Sequence, residues 1–227
     1  MAENLPLFPL GAVLLPGASL PLHIFEPRYR QLTVDLVTGA VPERSFGVIA
    51  TKQGGTGDSA DIEPIHDIGC TAVLREARRL PDGRFDIVTR GDRRFRLLDI
   101  DDTASCPYLM GSVEWIPDDE PADEQRMLLP MLAKSAREAH KQYCSAAWRD
   151  EDWNEPEASV EFAALPHLLA SDCLLTLEDR QVLLEERNPV HRLRLIRTLL
   201  LREAGFLQQL RAVPRPLSEF GIETTRN

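Results

Sequence analysis

The chain has 227 residues, 43% of them hydrophobic and 27% charged, with a formal net charge of −10. These values are typical of a folded globular protein with a substantial core, and the negative charge disfavours a general nucleic-acid-binding protein. The four cysteines are too widely separated for a zinc clip or a dense disulfide framework, so we expect free thiols in the reducing cytoplasm.

The first apolar segment, Leu5–Phe25, contains no acidic, lysine or arginine residue. A secretory signal peptide would begin with a basic region, whereas the residues before Leu5 include Glu3 and no base. A membrane-spanning helix would be broken repeatedly, because prolines stand at positions 6, 9, 16 and 21. The segment therefore predicts buried strands joined by turns, and we expect no membrane association.

A β-rich region with a single helix is predicted as far as Ile116. The helix begins at Pro27, because apolar side chains recur after this proline at helical spacing. Residues 52–63 are interpreted as a loop. Strands are predicted for three segments with alternating or β-branched residues, namely 20–25, 45–51 and 108–116.

Residues 70–100 are predicted to form three strands in succession. The sequence Pro81-Asp82-Gly83 predicts a tight turn between the first two strands, because proline presets φ and glycine accepts a positive φ. Gly91 is interpreted as a break that separates the second strand from the third.

From Pro117 onward the pattern becomes helical. A helix is predicted over 122–144, with a bend at Pro130, and an acidic connector over 149–157. Thr176 followed by Asp179 resembles a capping box, which predicts the start of a helix that continues to Glu186.

The last helix is predicted to begin at Asn188-Pro189, a capping residue followed by a first-turn proline. Its predicted buried face consists of Val190, Leu193, Ile196, Leu200, Ala204 and Leu207. The other faces are expected to carry Arg192, Arg194, Arg197 and Arg202. We accordingly predict a β subdomain (1–116), a helical subdomain (117–213) and a tail (214–227).

The patterns expected of an enzyme are missing from the sequence. It contains no Gly-x-x-x-x-Gly-Lys-Ser/Thr phosphate loop and no Gly-x-Ser-x-Gly nucleophile elbow. Lys134 and Ser135 are adjacent, but neighbours on a helix point about 100° apart. His66 and Cys70 have ligand-like spacing without a second pair. We therefore predict no catalytic residue, no metal and no cofactor.

Two segments are candidate binding surfaces. In the first, the strand-to-helix corner, an aromatic ring, a carboxylate and two guanidinium groups fall within one turn, at Phe25, Glu26, Arg28, Tyr29 and Arg30. Helix capping and a solvated face would also explain these residues.

The second candidate is the hairpin Arg75–Arg96, which contains eight arginines and four acids and suits an RNA-binding surface. Only Phe85 and Phe95 could stack on bases there, and strand alternation tends to place arginines on a solvated face. We therefore consider nucleic acid a weaker partner than polypeptide.

Three blocks of the chain resemble the N-terminal substrate-binding domain of Lon proteases. The opening block reads LPLFPLGAVLLPGASLPLHIFEPRYRQL, and the second reads GCTAVLREARRLPDGRFDIVTRGDRRFRLLDI, with the turn and Gly91-x-x-Arg94 of the family pattern. The third, LTLEDRQVLLEERNPVHRLRLIRTLL, is similar to the leucine-rich end of that domain. The resemblance implies an α+β fold, a PUA-like β pseudo-barrel followed by a C-terminal helical bundle, and a polypeptide-binding role.

Lon proteases continue into ATPase and peptidase modules, whereas this sequence ends at Asn227, so the standalone form of the domain is the better match. We expect a non-enzymatic binder of unfolded or damaged polypeptides, acting as an adaptor for a protease or chaperone or as a holdase. The alternatives are an RNA-binding protein that uses the Arg75–Arg96 face, and a regulatory domain that senses a small ligand between barrel and bundle.

Overall fold

The structure is a computed structural model that describes residues 2–52, 64–101, 105–148 and 153–210. Its strands are β1 Glu3–Leu10, β2 Ser19–Ile24, β3 Ser45–Ala50, β4 Ile68–Arg79, β5 Phe85–Ile100 and β6 Met110–Trp115. Its helices are α1 Pro27–Thr38, α2 Asp123–Arg126, α3 Leu129–Ala147, α4 Leu165–Ser171, α5 Leu177–Glu185 and α6 Pro189–Leu210, with a 3₁₀ turn at Pro42–Arg44. The predicted tail, most of the predicted loop and part of the acidic connector lie outside the described residues.

The strands form a closed ring in the order β5-β4-β3-β1-β6, and β6 pairs again with β5. The length of β5 explains the closure, because this strand of 16 residues has two partners along one edge. Its first part, Phe85–Arg90, pairs with β2, and its last part, Phe95–Ile100, pairs with β6. The β1–β3 pair is parallel and the other pairs are antiparallel. The α+β fold with a barrel followed by helices is therefore confirmed.

Gly91 does not break the strand, so the predicted boundary there is wrong. Its N–H donates to the Ala18 carbonyl at 2.9 Å, and its carbonyl accepts from the Gly17 N–H at 2.8 Å. A Cβ added at Gly91 would lie 2.2 Å from the Leu15 carbonyl oxygen. The glycine is needed because another piece of backbone crosses directly over β5.

The helical region differs from its prediction in two places. The predicted helix over 122–144 is divided into α2 and α3, and Pro130 lies in the first turn of α3 instead of at a bend. A first-turn N–H has no acceptor within the helix, so proline is tolerated there. The short helix α4 was not predicted.

The predicted helix starts at Thr176 and Asn188 are confirmed. The Thr176 hydroxyl accepts a hydrogen bond from the Asp179 N–H at 3.1 Å, and the Asn188 side chain accepts one from the Val190 N–H at 2.9 Å. These bonds satisfy N–H groups that otherwise have no partner at a helix start.

The apolar face of α6 is buried as predicted, except that Leu207 is only half-buried. One arginine was misplaced, because Arg192 is completely buried rather than solvated. The largest apolar cluster runs continuously from strands of the barrel through α1 to α3–α6. The division of the chain into subdomains at 116/117 stays a prediction.

Candidate functional site

The predicted corner joins the end of β2 to the start of α1. The Phe25 side chain is 62% exposed, and its ring centroid lies 6.5 Å from that of His23. Glu26 precedes the helix in an extended conformation, and its backbone carbonyl accepts a hydrogen bond from the Arg30 N–H at 2.9 Å. The corner therefore presents a solvent-exposed aromatic ring directly beside charged groups.

Arg28 is held in place by two neighbours. Its Nε donates to Glu26 Oε2 at 2.9 Å, and its guanidinium lies 4.6 Å from the centroid of the Tyr29 ring. The Tyr29 ring is buried and stacks on Phe8 with 3.8 Å between centroids. Tyr29 thus supports Arg28 from beneath and offers no surface of its own to a ligand.

The turn between β4 and β5 approaches this corner. A Cβ added at Gly83 would lie 3.5 Å from an Arg30 guanidinium nitrogen, and His23 Nδ1 lies 2.7 Å from Asp86 Oδ1. Four side chains of the corner are exposed or partly exposed, and we call them the corner surface: Phe25, Glu26, Arg28 and Arg30.

A cleft of about 520 Å³ lies between the barrel and the helical region. We call it the junction cleft. Residues from the segment before β2, from β5, from the end of β6 and from α4 contribute to its wall, among them Pro16, Arg93, Trp115, Asp118, Ala164 and His167. The Arg93 guanidinium lies 3.9 Å from the centroid of the Trp115 ring, so one wall is a cation–π pair.

Two buried arginines meet at Asp118 behind this cleft. Arg192 donates to both Asp118 carboxylate oxygens, at 2.8 and 2.7 Å, and Arg94 donates to the same carboxylate. Arg94 also donates to the carbonyls of Leu184 and Glu186, both at 2.9 Å. The barrel strand β5 is thereby tied to the end of α5 and to α6.

Asp118 remains ionised in this network. Burial raises the pKa of its carboxyl, but the hydrogen bonds from Arg192 and the charges of Arg192 and Arg94 outweigh burial, so the net pKa lies below the usual value. A charge-assisted, bidentate pair of this kind also fixes the relative position of the two side chains.

His167 on α4 is neutral in the folded protein. Burial, together with the positive charges of Arg192 and Arg94, lowers the pKa of its imidazole to about 3. Its Nε2 atom has no hydrogen-bond partner among the described residues. This nitrogen is therefore a buried polar group without a partner, in a residue that lines the junction cleft.

The family of the chain follows from comparison with known proteins. The family model described as the ATP-dependent protease La (LON) substrate-binding domain matches residues 4–202. The chain belongs to this family. The predicted resemblance is confirmed, and the match includes both the corner surface and the junction cleft.

Solved structures of Lon N-terminal domains have the same fold. A crystal structure of a Lon N-terminal domain protein from Xanthomonas campestris is 26% identical, with a TM-score of 0.57, and covers 93% of this chain and 99% of that one. The N-terminal domain of a Mycobacterium avium complex Lon protease has a TM-score of 0.59 over 87% of this chain, at 19% identity, and supports the fold alone.

Curated relatives are much longer proteins. The Lon protease of Parabacteroides distasonis is 30% identical over 128 residues, which are 56% of this chain and 15% of that enzyme. Lon protease 1 of Thermus thermophilus is 27% identical over 205 residues, which are 88% of this chain and 25% of that enzyme. The chain therefore spans about a quarter or less of these two relatives.

Sequence reasoning missed the residues behind the junction cleft of this Lon-family domain. The sequence pattern predicts an exposed, arginine-rich face for Arg94 and a solvated face for Arg192, and it indicates no role for His167. The spacing Gly91-x-x-Arg94 was visible as a family pattern, but it gave no sign that the arginine was buried. A histidine within the apolar run around Leu165–Ala170 was the other available signal.

The arginine-rich hairpin lacks the aromatic platforms that single-stranded RNA requires. Phe85 and Phe95 are both buried. Arg84 forms an ion pair with Asp82, and Arg93 forms one with Glu43 at 3.0 Å. These contacts favour a structural role for Arg84 and Arg93 over base recognition.

The other residues that the sequence offers for catalysis or metal binding are not activated for these roles in the structure. The Ser135 hydroxyl lies 2.7 Å from Arg197 Nε, which donates to it and cannot serve as a base. Cys70 is buried, and burial raises the pKa of its thiol to about 12. Within the described ranges, no cluster of three or more potential metal-binding side chains occurs.

No helix in the described parts of the chain is long and apolar enough to cross a membrane.

Proposed function

We propose that this chain is a non-enzymatic, cytoplasmic polypeptide-binding module that recognises exposed segments of unfolded or damaged proteins. The observation that carries the proposal is the match of residues 4–202 to a domain family defined by substrate binding. A bound segment would be held for a partner protease or chaperone, so that the module acts as an adaptor or as a holdase.

The corner surface is the proposed binding site. The exposed Phe25 ring supplies apolar area, and hydrophobic side chains of a disordered segment would pack against it. The Arg28 guanidinium has one ion-pair partner in Glu26 and is fixed over Tyr29, so less rotamer freedom is lost when it donates to a peptide carbonyl. The combination favours an extended peptide over a folded partner, because it offers ring contact and backbone hydrogen bonds together.

Binding of a fluorescein-labelled, reduced and carboxymethylated lactalbumin, measured by anisotropy, tests this proposal. The double variant Arg28→Ala/Arg30→Ala should bind about tenfold more weakly, equivalent to about 1.4 kcal/mol. The control Lys141→Ala/Arg194→Ala makes the same change in net charge at exposed helical positions and should bind like the wild type.

Two further outcomes are decisive. Equal affinity of the wild type and the Arg28/Arg30 variant would reject the corner surface as the site. A steep loss of affinity with rising salt would indicate electrostatic binding of the kind that proteins make with the phosphates of RNA. Binding of apolar polypeptide segments should depend little on salt.

A further inference from the structure

One edge of strand β2 is not joined to any other described strand. β2 pairs only with the first part of β5 and stands at the end of the strand order β2-β5-β4-β3-β1-β6. Within the described residues, no helix and no other strand has extended contact with it. We call its unpaired side the open edge, and this edge leads directly into the corner surface at Phe25.

The pairing with β5 shows which residues of β2 supply the open edge. The Gly91 N–H donates to the Ala18 carbonyl at 2.9 Å, and the Leu20 carbonyl accepts from the Thr89 hydroxyl at 3.0 Å. In an antiparallel pair, every second residue directs its N–H and carbonyl toward the partner strand. The even-numbered residues of β2 therefore face β5 with their backbone groups, and the odd-numbered residues face the open edge.

The open edge is formed by Ser19, Pro21 and His23. Within the described residues, their backbone groups make no hydrogen bond outside the pairing with β5, and all three residues are exposed. Ser19 and His23 each offer an N–H and a carbonyl, whereas Pro21 offers a carbonyl alone. These groups repeat about every 7 Å along the edge, which is the spacing of the complementary groups in an extended peptide.

The inner face of β2 is incompletely covered beside this edge. Ile24 at the end of the strand is buried, but Leu20 and Leu22 are only partly buried where they pack against the core. A strand added next to β2 would place every second side chain beside these two leucines, because opposed residues point to the same face of a sheet. An added strand should therefore carry apolar residues at alternate positions.

We propose that an extended segment of the bound polypeptide adds to the open edge of β2 as a further strand. Its backbone forms hydrogen bonds with Ser19, Pro21 and His23, and its alternate apolar side chains pack beside Leu20 and Leu22. The segment then continues onto the corner surface. The proposed binding mode rests on the proposed function, since it names the substrate of the same module: an extended, proline-poor segment with alternating apolar residues.

A second copy of this chain fits the open edge less well than a foreign segment does. Two β2 strands joined edge to edge would bring two copies of Pro21 into one ladder, and each proline lacks an N–H donor. A foreign segment without proline contributes all of its donors. Proline on an edge strand is also a common means of preventing self-association.

Two methylated forms of one fluorescein-labelled peptide, Thr-Val-Thr-Val-Thr-Val-Thr-Val, test strand addition to the wild type. In an extended peptide, the threonine N–H groups point to one side and the valine N–H groups to the other. N-methylation of two internal threonines or of two internal valines therefore blocks one side only. We expect the affinities of the two methylated peptides, measured by anisotropy, to differ at least about tenfold.

The variant His23→Pro removes a donor from the open edge itself. The His23 N–H points away from β5, so its loss leaves the β2–β5 ladder intact. His23→Ala is the matched comparison, because both variants lose the imidazole and its 2.7 Å contact with Asp86, and only proline also loses the N–H. We expect His23→Pro to bind the labelled carboxymethylated lactalbumin at least about fivefold more weakly than His23→Ala. If His23→Pro does not fold, the methylated peptides decide with the wild type alone.

The outcomes separate strand addition from the proposed function. Equal affinities of the two methylated peptides, with lactalbumin still bound by the wild type, would overturn strand addition and leave the proposed function standing. No lactalbumin binding by the wild type would overturn both. Equal peptide affinities together with a wild-type dimer in sedimentation, lost in His23→Pro, would assign the open edge to a second copy.

Discussion

Arg192 donates two hydrogen bonds to the carboxylate of Asp118, although the two residues are 74 positions apart in the chain. The Arg192 side chain is fully buried, and Arg94 from the barrel shares the same carboxylate. One carboxylate is therefore shared by two guanidinium groups that have left water, and this contact holds β5 and α6 against the segment that follows β6.

Removing the charge of Asp118 should strongly destabilise the fold. In Asp118→Asn, two buried guanidinium groups lose their anionic partner, and we expect urea denaturation to show a loss of about 3–5 kcal/mol in the free energy of unfolding. The neighbouring Asp119 pairs with Arg187 where both side chains are nearly half exposed, so Asp119→Asn should cost less than about 1 kcal/mol. Similar losses in the two variants would show that burial of the pair contributes nothing.

His167 should make the protein sensitive to mild acid. Its pKa is 6.5 in the unfolded chain and about 3 in the folded protein, so between these values the unfolded state binds a proton that the folded state does not. The stability contributed by the neutral ring is complete above pH 6.5 and declines as the pH falls toward 3, with a slope of up to about 1.4 kcal/mol per pH unit.

The measurement is urea denaturation at a series of pH values. His167→Gln should flatten the slope in this window, although His140, whose pKa burial also lowers, continues to contribute. An unchanged slope in His167→Gln would contradict the burial of a neutral imidazole.

Gly91 should resist substitution even by alanine. A methyl group there would meet the Leu15 carbonyl oxygen at 2.2 Å, and backbone cannot move aside as a side chain can. We expect Gly91→Ala to lower the free energy of unfolding by about 1–3 kcal/mol or more. Gly205 in α6 has nothing within 4 Å of its added Cβ, so Gly205→Ala should stabilise by up to about 1 kcal/mol. A stabilised Gly91→Ala variant would be incompatible with the close crossing.

The buried face of α6 should not accept a charge. Leu200 is completely buried, and Leu200→Asp would place an unpaired carboxylate in the apolar cluster, at a cost of at least about 3 kcal/mol. Thr198→Asp introduces the same group at an exposed position of the same helix and should change the melting temperature little. Equal melting temperatures for the wild type and Leu200→Asp would show that this face lies in solvent.

The purified chain should hydrolyse neither ATP nor unfolded protein. Its sequence contains no phosphate loop, and the hydroxyl of Ser135, beside Lys134, accepts a hydrogen bond from Arg197 instead of meeting a general base. The assays are phosphate release from ATP and cleavage of fluorescent casein, with a full-length Lon protease as the positive control. Turnover that follows the protein peak through successive purification steps would contradict this expectation.

Several features could be predicted from the sequence because their causes lie within a few residues. Pro27 begins α1, Gly83 adopts a positive φ of 82° in the β4–β5 turn, and the Thr176 side chain caps α5. The apolar spacing of α6 likewise determines which of its faces is buried, because a helix places residues three and four apart on one side. The strand-to-helix change also predicts an exposed surface at Phe25, Glu26, Arg28 and Arg30, and the role of this surface in binding stays a prediction.

Other features depended on contacts between distant parts of the chain. In the sequence, Arg94 and Arg192 resemble surface residues, because arginine is usually solvated. Their burial depends on Asp118, which the fold brings next to both guanidinium groups. In the sequence, Gly91 is typical of a strand break, whereas in the structure it allows the backbone at Leu15 to cross close to β5. The sequence by itself therefore determined the local elements and the family, whereas the tertiary structure decided which charged and polar groups left water, since burial depends on partners that local patterns cannot specify.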